Sequence, residues 1–371
     1  MSRKRSKKSF QLPLSKNRPD RLLMGLTFLI SLFGLLMVYN ASTLEAFRNF
    51  GDKYYFLKNQ LVWMLVGWLG LIFISFLDYH LFEKLAFPLL IINIFFLFLV
   101  LLPGLGTEVK GARRWLNLGF FAFQPTETLK TVLVIYLATW LNKKRKLLAF
   151  LLLMGLILGL TILQPDLGTA IVIIGSAFLV FFMSGAPIGR LFLMSCLVLL
   201  LGVSLILISP YRRARLKSFL DPTSDPLGSS YHIRQALIAL GSGGWTGVGL
   251  GLSRQKYQYL PEATTDSIFA VVAEETGFLG GGLLLGVFVL LIQRGFKIAQ
   301  KARDHFGRLV ATGITSWIAI QFFINLAAMV ALVPLTGIPL PLISYGGSSL
   351  VVTLISLGIL LNISRYNNTK I

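Results

Sequence analysis

Cysteine is almost missing from this chain: Cys196 stands alone inside an apolar run, which excludes an intrachain disulfide. Histidine is nearly as rare, and His80, His232 and His305 are too far apart in sequence to suggest a Cys/His metal site. Charge is scarce and lopsided, with only 13% charged residues and 35 Lys and Arg against 15 Asp and Glu, a formal net charge of +20. Such an excess raises the question of nucleic acid. The basic residues, however, fall in short clusters between apolar runs and form no continuous stripe, which argues against nucleic-acid binding. The glycine run 241–251 lacks G-x-x-x-x-G-K-[ST] and has no strand before it, so it carries no nucleotide-binding signature.

What the chain has in abundance is apolar surface, at 55% hydrophobic residues. That composition predicts an all-α polytopic integral membrane protein. A helix needs roughly 17–25 mostly apolar residues to cross the hydrocarbon. On that criterion about ten spans are predicted, near 22–40, 60–78, 85–103, 127–141, 147–164, 167–185, 189–209, 267–292, 309–333 and 341–362. They form one transmembrane domain, 22–364, between a basic N-tail, 1–21, and a short C-tail, 365–371. The basic start runs into a full-length span with no small-residue cleavage site before it, so the first helix is expected to be retained as an anchor.

Orientation follows from the Lys and Arg of the short loops. Arg3, Lys4, Arg5, Lys7, Lys8, Lys16, Arg18 and Arg21 share a side with Lys143, Lys144, Arg145 and Lys146 and with Arg294, Lys297, Lys301, Arg303 and Arg308. Both termini are therefore expected in the cytoplasm. Segments 41–59, 104–126 and a long loop, 210–266, fall on the other face. Basic residues kept there against the usual bias suggest an anionic ligand.

These outward segments hold the polar motifs. GLGTEVKGARRWLNLGFFAFQPTETLK, 104–130, pairs Arg113 with Arg114 and opens a helix at Gln124-Pro125. Glu127 and Lys130 share one face of that helix, as an i,i+3 ion pair or as the charged lining of a cavity. Arg113 and Arg114 read equally well as headgroup anchors or as guanidinium forks for a pyrophosphate, and the same choice holds for Arg212, Arg213 and Arg215. Gln164-Pro165-Asp166-Leu167-Gly168-Thr169 reads as a tight turn in which Asp166 caps the next helix. In the long loop, Asp221-Pro222 and Asp225-Pro226 mark turns, and 231–240 has the pattern of a short surface helix.

Acids inside apolar segments need a reason. YLPEATTDSIFAVVAEETGF, 259–278, contains three beyond Glu262. Asp266 precedes Ser267-Ile268-Phe269 and reads as a helix N-cap or as a group reserved for chemistry. At about 100° per residue, Glu274 lies within about a quarter turn of Asp266 and Glu275 roughly opposite. For these two the expected role is hydrogen bonding between helices, paired or protonated. Finally, PLTGIPLPLISYGGSS, 334–349, interrupts an apolar pattern with prolines and small residues. Non-helical backbone at membrane depth must be buried or beside water, so this segment is expected to line a central cavity, with the glycines packing helices.

GARRW (111–115), QPTETLK (124–130), QPDLGTA (164–170), PEATTDSIFAVVAEETGFLG (261–280) and LPLISYGGSS (340–349) occur in order along nearly the whole chain. Together they closely resemble the SEDS family, the shape, elongation, division and sporulation proteins of bacterial wall synthesis. The wording GSGGWTGVGLGLSRQKYQYLPEA at 241–263 is more similar to the division members than to the elongation members. The resemblance implies a glycosyltransferase that polymerises lipid II, a disaccharide peptide on undecaprenyl pyrophosphate, into β-1,4 glycan on the outer face of the cytoplasmic membrane, at the division septum. It assigns Asp266 as the essential carboxylate, in the role of general base. Arg113, Arg114, Glu127, Lys130, Arg213, Glu262 and Ser348 form the substrate-binding set it suggests. A divalent cation such as Mg²⁺ is compatible with that chemistry, yet no ligand set in the sequence demands one.

The family pattern is not matched everywhere. Thr264 stands where His is common, Ser267 where Phe is common, and QPTET replaces QPSEL. The resemblance also implies a class B penicillin-binding transpeptidase as partner, with other division-complex membrane proteins, because no Ser-x-x-Lys acylation site in an outer domain is evident here. Two other functions stay open. A lipid II flippase would need alternating access and no base. A noncatalytic division scaffold would leave Asp266 dispensable.

Overall fold

The computed structural model describes residues 18–366 except 110, 111, 118, 120, 143–146, 222–227, 229 and 258. The basic residues at 3–16, the cluster 143–146, the turn Asp225-Pro226 and the tail beyond 366 therefore lie outside the described residues. Ten helices occupy the ten predicted spans: α1 (Arg21–Phe50), α2 (Tyr55–Phe76), α3 (His80–Leu101), α4 (Pro125–Leu141), α5 (Leu147–Leu163), α6 (Leu167–Met183), α7 (Ile188–Ile208), α10 (Ile268–Lys301), α11 (His305–Met329) and α12 (Gly347–Arg365). Seven of them, α1, α2, α3, α7, α10, α11 and α12, are long and apolar enough to cross a bilayer unaided. The long loop contributes α8 (Pro210–Leu220) and α9 (Tyr231–Gly243).

Burial sorts these helices. In the most apolar windows of α11 and α12, 72% of the residues are buried inside the bundle, against 11% in α7, which faces outward over most of its length. α11 packs against α4, α6 and α10, while α12 runs along α2. Close approach requires the absence of a side chain at Gly313, where a Cβ would come within 2.4 Å of Val134 and 2.7 Å of Val180. Buried Thr312, Thr315, Ser316, Gln321 and Asn325 make α11 the most polar of the central helices. Their hydroxyls return to the carbonyl four residues back, which satisfies them without a partner helix.

The two ends of the bundle differ. At one, Asp20 caps α1 by accepting from the Leu23 N–H and receives Arg294 Nε at 2.7 Å. There Asn362 accepts from the Tyr79 N–H, and Asp304 caps α11. Arg18, Arg21, Lys297, Lys301, Arg303 and Arg308 gather at this end. The opposite end carries the polar motifs, and three features of it depart from expectation.

The first is a small antiparallel sheet, so the chain is not wholly α. β1 (Gly106–Val109), β2 (Ala112–Asn117) and β3 (Ala122–Phe123) pair in that order, with a register shift at Thr107/Glu108. A short loop returning at the membrane interface must satisfy its backbone groups locally, and strand pairing does so. The second concerns the last span, which begins at Gly347 and not 341. Pro334, Pro339, Pro341 and positive φ at Gly337 and Leu342 keep the preceding segment out of the helix.

The third is a break in α10. Gly277 adopts φ 67°, ψ −168°. Into that break the loop after α9 inserts its backbone. Val248 and Gly249 N–H groups bond the Glu274 and Glu275 carbonyls at 3.0 and 3.1 Å, and Phe278 and Leu279 N–H groups bond Gly244 and Trp245 at 2.9 and 3.1 Å. A Cβ on Gly277 would sit 2.3 Å from the Gly247 nitrogen, so glycine is obligatory here.

Candidate active site

Asp266 is not the cap of α10. The helix begins at Ile268 with Ser267 as N-cap, and the Ser267 side chain makes no capping bond. The half-buried Asp266 instead stands in a non-helical turn, 261–267, docked on the proline-rich segment after α11. Asn325 of α11 donates to the Asp266 and Ile338 carbonyls, 2.8 Å each, and so ties the two strands of backbone together. Ser344 Oγ donates to the Thr265 carbonyl at 2.5 Å and accepts from the Leu340 N–H at 2.8 Å. The Tyr345 N–H reaches the Thr264 carbonyl at 2.9 Å. Gln60 of α2 completes the lacing by donating to Ser344 O and accepting from the Gly346 N–H. Directly opposite the carboxylate is Gly337, whose absent Cβ would lie 3.5 Å from Asp266 Oδ2. The segment 337–344 thus packs against the turn that carries Asp266, whereas the expected cavity lining by 334–349 is not seen in either of the two cavities near this turn.

One neighbour could not be found from the sequence alone. His232 Nε2, from α9, lies 2.7 Å from Ser267 Oγ. Glu262 is held at φ 54°, a left-handed conformation costly for a residue with a side chain, and its carboxylate accepts from Thr265 Oγ1 at 2.7 Å. A polar cavity of about 330 Å³ opens beside it, lined by Glu45 and Asn49 of α1, Lys256 and 260–264.

The remaining candidates divide by surroundings. Arg113 is exposed, with its Nε 3.2 Å from Glu108 across the β1–β2 pair. Arg213, on α8, is exposed as well. Arg114 turns inward and donates to the Gln164 and Pro165 carbonyls, 3.9 Å from Asp166, while Asp166 caps α6 through the Thr169 N–H. Ser348 links the end of the sheet to α12, donating to Ala122 O and accepting from the Gln124 N–H. Glu127 and Lys130 are fully buried: Lys130 Nζ bonds both Glu127 oxygens at 3.0 and 2.9 Å and Gln321 Oε1 at 2.6 Å, with the Trp317 ring 4.8 Å away. Gln321 in turn donates to the Pro339 carbonyl at 2.9 Å. The pair therefore does not line an open cavity in this conformation. It supports from behind the segment that faces Asp266.

Glu274 and Glu275 bind the outer loop, and the predicted hydrogen bonding between helices is realised at Glu275, which accepts from Asn40 of α1. Glu274 accepts from Ser253 Oγ at 2.5 Å and from the Arg254 N–H at 2.9 Å. Glu275 accepts from Lys256 Nζ at 2.9 Å. Among the described residues no three His, Cys, Asp or Glu side chains gather as a metal site. Glu127 is taken by Lys130 and is not available to a cation in this conformation.

The family described as "Cell cycle protein", shared by FtsW, RodA and SpoVE, matches residues 20–369. The chain belongs to that family. It is 43% identical to stage V sporulation protein E of Bacillus subtilis over 360 residues, 95% of this chain and 98% of the relative. It is 40% identical to the probable peptidoglycan glycosyltransferase FtsW of Trichlorobacter lovleyi over 353 residues, 93% of each. Among solved structures, a chain of a peptidoglycan synthase complex that coordinates polymerization and crosslinking superposes with a TM-score of 0.77 at 32% identity, covering 95% of this chain and 99% of that one. The rod shape determining protein RodA of Thermus thermophilus gives 0.69 at 31%, covering 95% and 98%. The architecture is thus that of a multi-pass SEDS membrane protein.

Proposed function

We infer that this chain is a peptidoglycan glycosyltransferase that polymerises lipid II on the outer face of the cytoplasmic membrane, in septal wall synthesis. One observation carries the reading. A carboxylate at the mouth of the bundle, Asp266, is excused from capping its helix, while its backbone is fixed by Asn325 and the Ser344 turn. An acid positioned with that care fits a general base.

In the reaction Asp266 takes the proton of the acceptor sugar's hydroxyl as that oxygen attacks the donor's anomeric carbon. The bond from that carbon to the diphosphate oxygen breaks, and the electron pair leaves with undecaprenyl pyrophosphate. A single displacement inverts an α-linked donor into a β-linked product. The leaving group needs no protonation, so one base suffices.

Arg113 and Arg213 are the exposed guanidinium groups of the set and can meet a diphosphate directly. Arg114, Glu127, Lys130 and Ser348 act by holding the walls, and Glu262 lines the adjoining cavity. The basic end of the bundle faces the cytoplasm, which leaves Asp266 outside. Lipid tails enter between helices, and a class B penicillin-binding transpeptidase supplies crosslinking, together with other proteins of the division complex. The solved complex that couples the two activities supports that pairing.

The test is glycan-strand formation from purified lipid II by the protein with its cognate transpeptidase, comparing wild type with Asp266→Asn at equal folding and partner binding. Polymer from the wild type alone is expected. Equal polymer from both removes Asp266 as the base, and none from either leaves the transporter or scaffold.

A further inference from the structure

A second anchorage sits ten residues before Asp266, where Lys256 meets Asn40 and Glu275. Lys256 is almost wholly buried, its side chain 6% exposed, against Glu275, whose side chain is 0% exposed. Its ammonium has three protons and three acceptors: Glu275 Oε1 at 2.9 Å, Asn40 Oδ1 at 2.7 Å and the Gly251 carbonyl at 2.7 Å. Asn40 closes the ring by donating to Glu275 Oε2. Every donor is used, so this cation has nothing left to offer a substrate. It joins three elements instead: the outer half of α1, the last turn of α10 before its break, and the start of the segment leading to Asp266.

Among its described residues that segment, 256–266, has no helix or strand; Leu260 and Ala263 are buried in the core at its middle, and polar bonds to other elements of the bundle gather at its two ends. The Asp266 end is held by Asn325, Ser344 and the Tyr345 N–H. The other end is held by Lys256 and by the Glu274 bonds to 253–255. Between them, 260–264 form one wall of the 330 Å³ cavity, and α1 forms the other. Lys256 also borders a second cleft of about 530 Å³, with Tyr39, Asn40 and Tyr257. It therefore marks the place where α1 meets the non-helical stretch of chain that ends in the carboxylate.

We propose that Lys256 is a positioning residue for Asp266: with Asn40 and Glu275 it latches the catalytic segment to α1 and α10, and so fixes the distance between the base and the wall of the cavity. This rests on the glycosyltransferase reading, but the latch itself can be examined apart from turnover. A displacement of about 1 Å in such a group costs on the order of 10²-fold in rate.

The experiment uses the full chain with its transpeptidase, in a Cys196→Ser background so that a nitroxide can be placed at exposed Tyr259→Cys. Lys256→Met is expected to lower kcat on the order of 10²-fold with KM within about twofold, and Lys256→Arg to recover part of it. In the same Lys256→Met protein the label gains mobility by EPR, whereas Asp266→Asn leaves the label unchanged. Asn40→Ala, which spares the Lys256–Glu275 pair, gives smaller changes in both and carries the test if Lys256→Met does not fold. Unchanged label mobility overturns the latch whatever the activity. A raised KM with kcat intact overturns it too, and makes Lys256 a substrate ligand. If the wild type makes no glycan, the glycosyltransferase reading fails while the EPR comparison still decides the latch.

Discussion

Arg113 and Arg114 are adjacent and chemically identical, yet one faces water beside Glu108 and the other is folded into the Gln164-Pro165 turn. Sequence gave no means to separate them, because the difference lies in strand alternation within a sheet that hydropathy does not reveal. Glu127 and Lys130 were legible as a pair from their spacing, but their depth was not, since Gln321 and Trp317 arrive from a helix far along the chain. That depth carries an expectation. Lys130→Met should destabilise the protein by about 3–5 kcal/mol, because it strands a buried carboxylate, while Glu127→Leu with Lys130→Met should cost clearly less. Thermal unfolding in detergent checks the order, and equal losses would refute it. At the outer turn between α1 and α2, the Lys58 ammonium, helped by the Tyr54 N–H, holds the exposed Asp52 carboxyl below its usual 3.8. A depressed value stabilises above the unfolded pKa and is lost as pH falls through the folded one. Amide exchange at Tyr54 should therefore quicken only below about pH 4, and Asp52→Asn should abolish that step.

Helices were the best-read elements because ten apolar runs of adequate length leave a bilayer-spanning chain few alternatives. Their interruptions were hidden. The stretch Glu275-Thr276-Gly277-Phe278 scores as one continuous span, since hydropathy registers side chains and the break at Gly277 is made by backbone from a loop thirty residues earlier. The role of Ser267 as N-cap was obscured for a similar reason: Asp is the better cap by chemistry, and the neighbouring segment decided otherwise. Gly277→Ala adds a Cβ within 2.3 Å of the Gly247 nitrogen and a left-handed φ, so the loop 244–249 must withdraw. Hydrogen exchange should then show lost protection at Val248 and Gly249 together, with α11 unaffected. Retained protection at both would show that the break accommodates a side chain.

On the scale of the whole molecule, the basic residues of the short loops set an orientation that can be measured. In sealed right-side-out vesicles and a Cys196→Ser background, Glu108→Cys should react with an impermeant maleimide and Lys301→Cys should not until the membrane is opened. The reverse pattern would invert the bundle and place Asp266 in the cytoplasm. What sequence could not supply at this scale is which helices are central, because α11 and α12 are less apolar than the outward-facing α3 and α7 and become interior only by assembly.

The Glu127–Lys130 pair has a further meaning when the chain is considered as it is made. Gln321, the partner that completes the site around Lys130, lies 191 residues downstream. At a synthesis rate of about 5–20 residues per second, α4 waits roughly 10–40 s for it. Throughout that interval the carboxylate one turn back neutralises the ammonium from within the same helix. A cation whose counter-ion came from α11 would have to enter the lipid alone, whereas α4 arrives with its charge already cancelled and can insert in its turn.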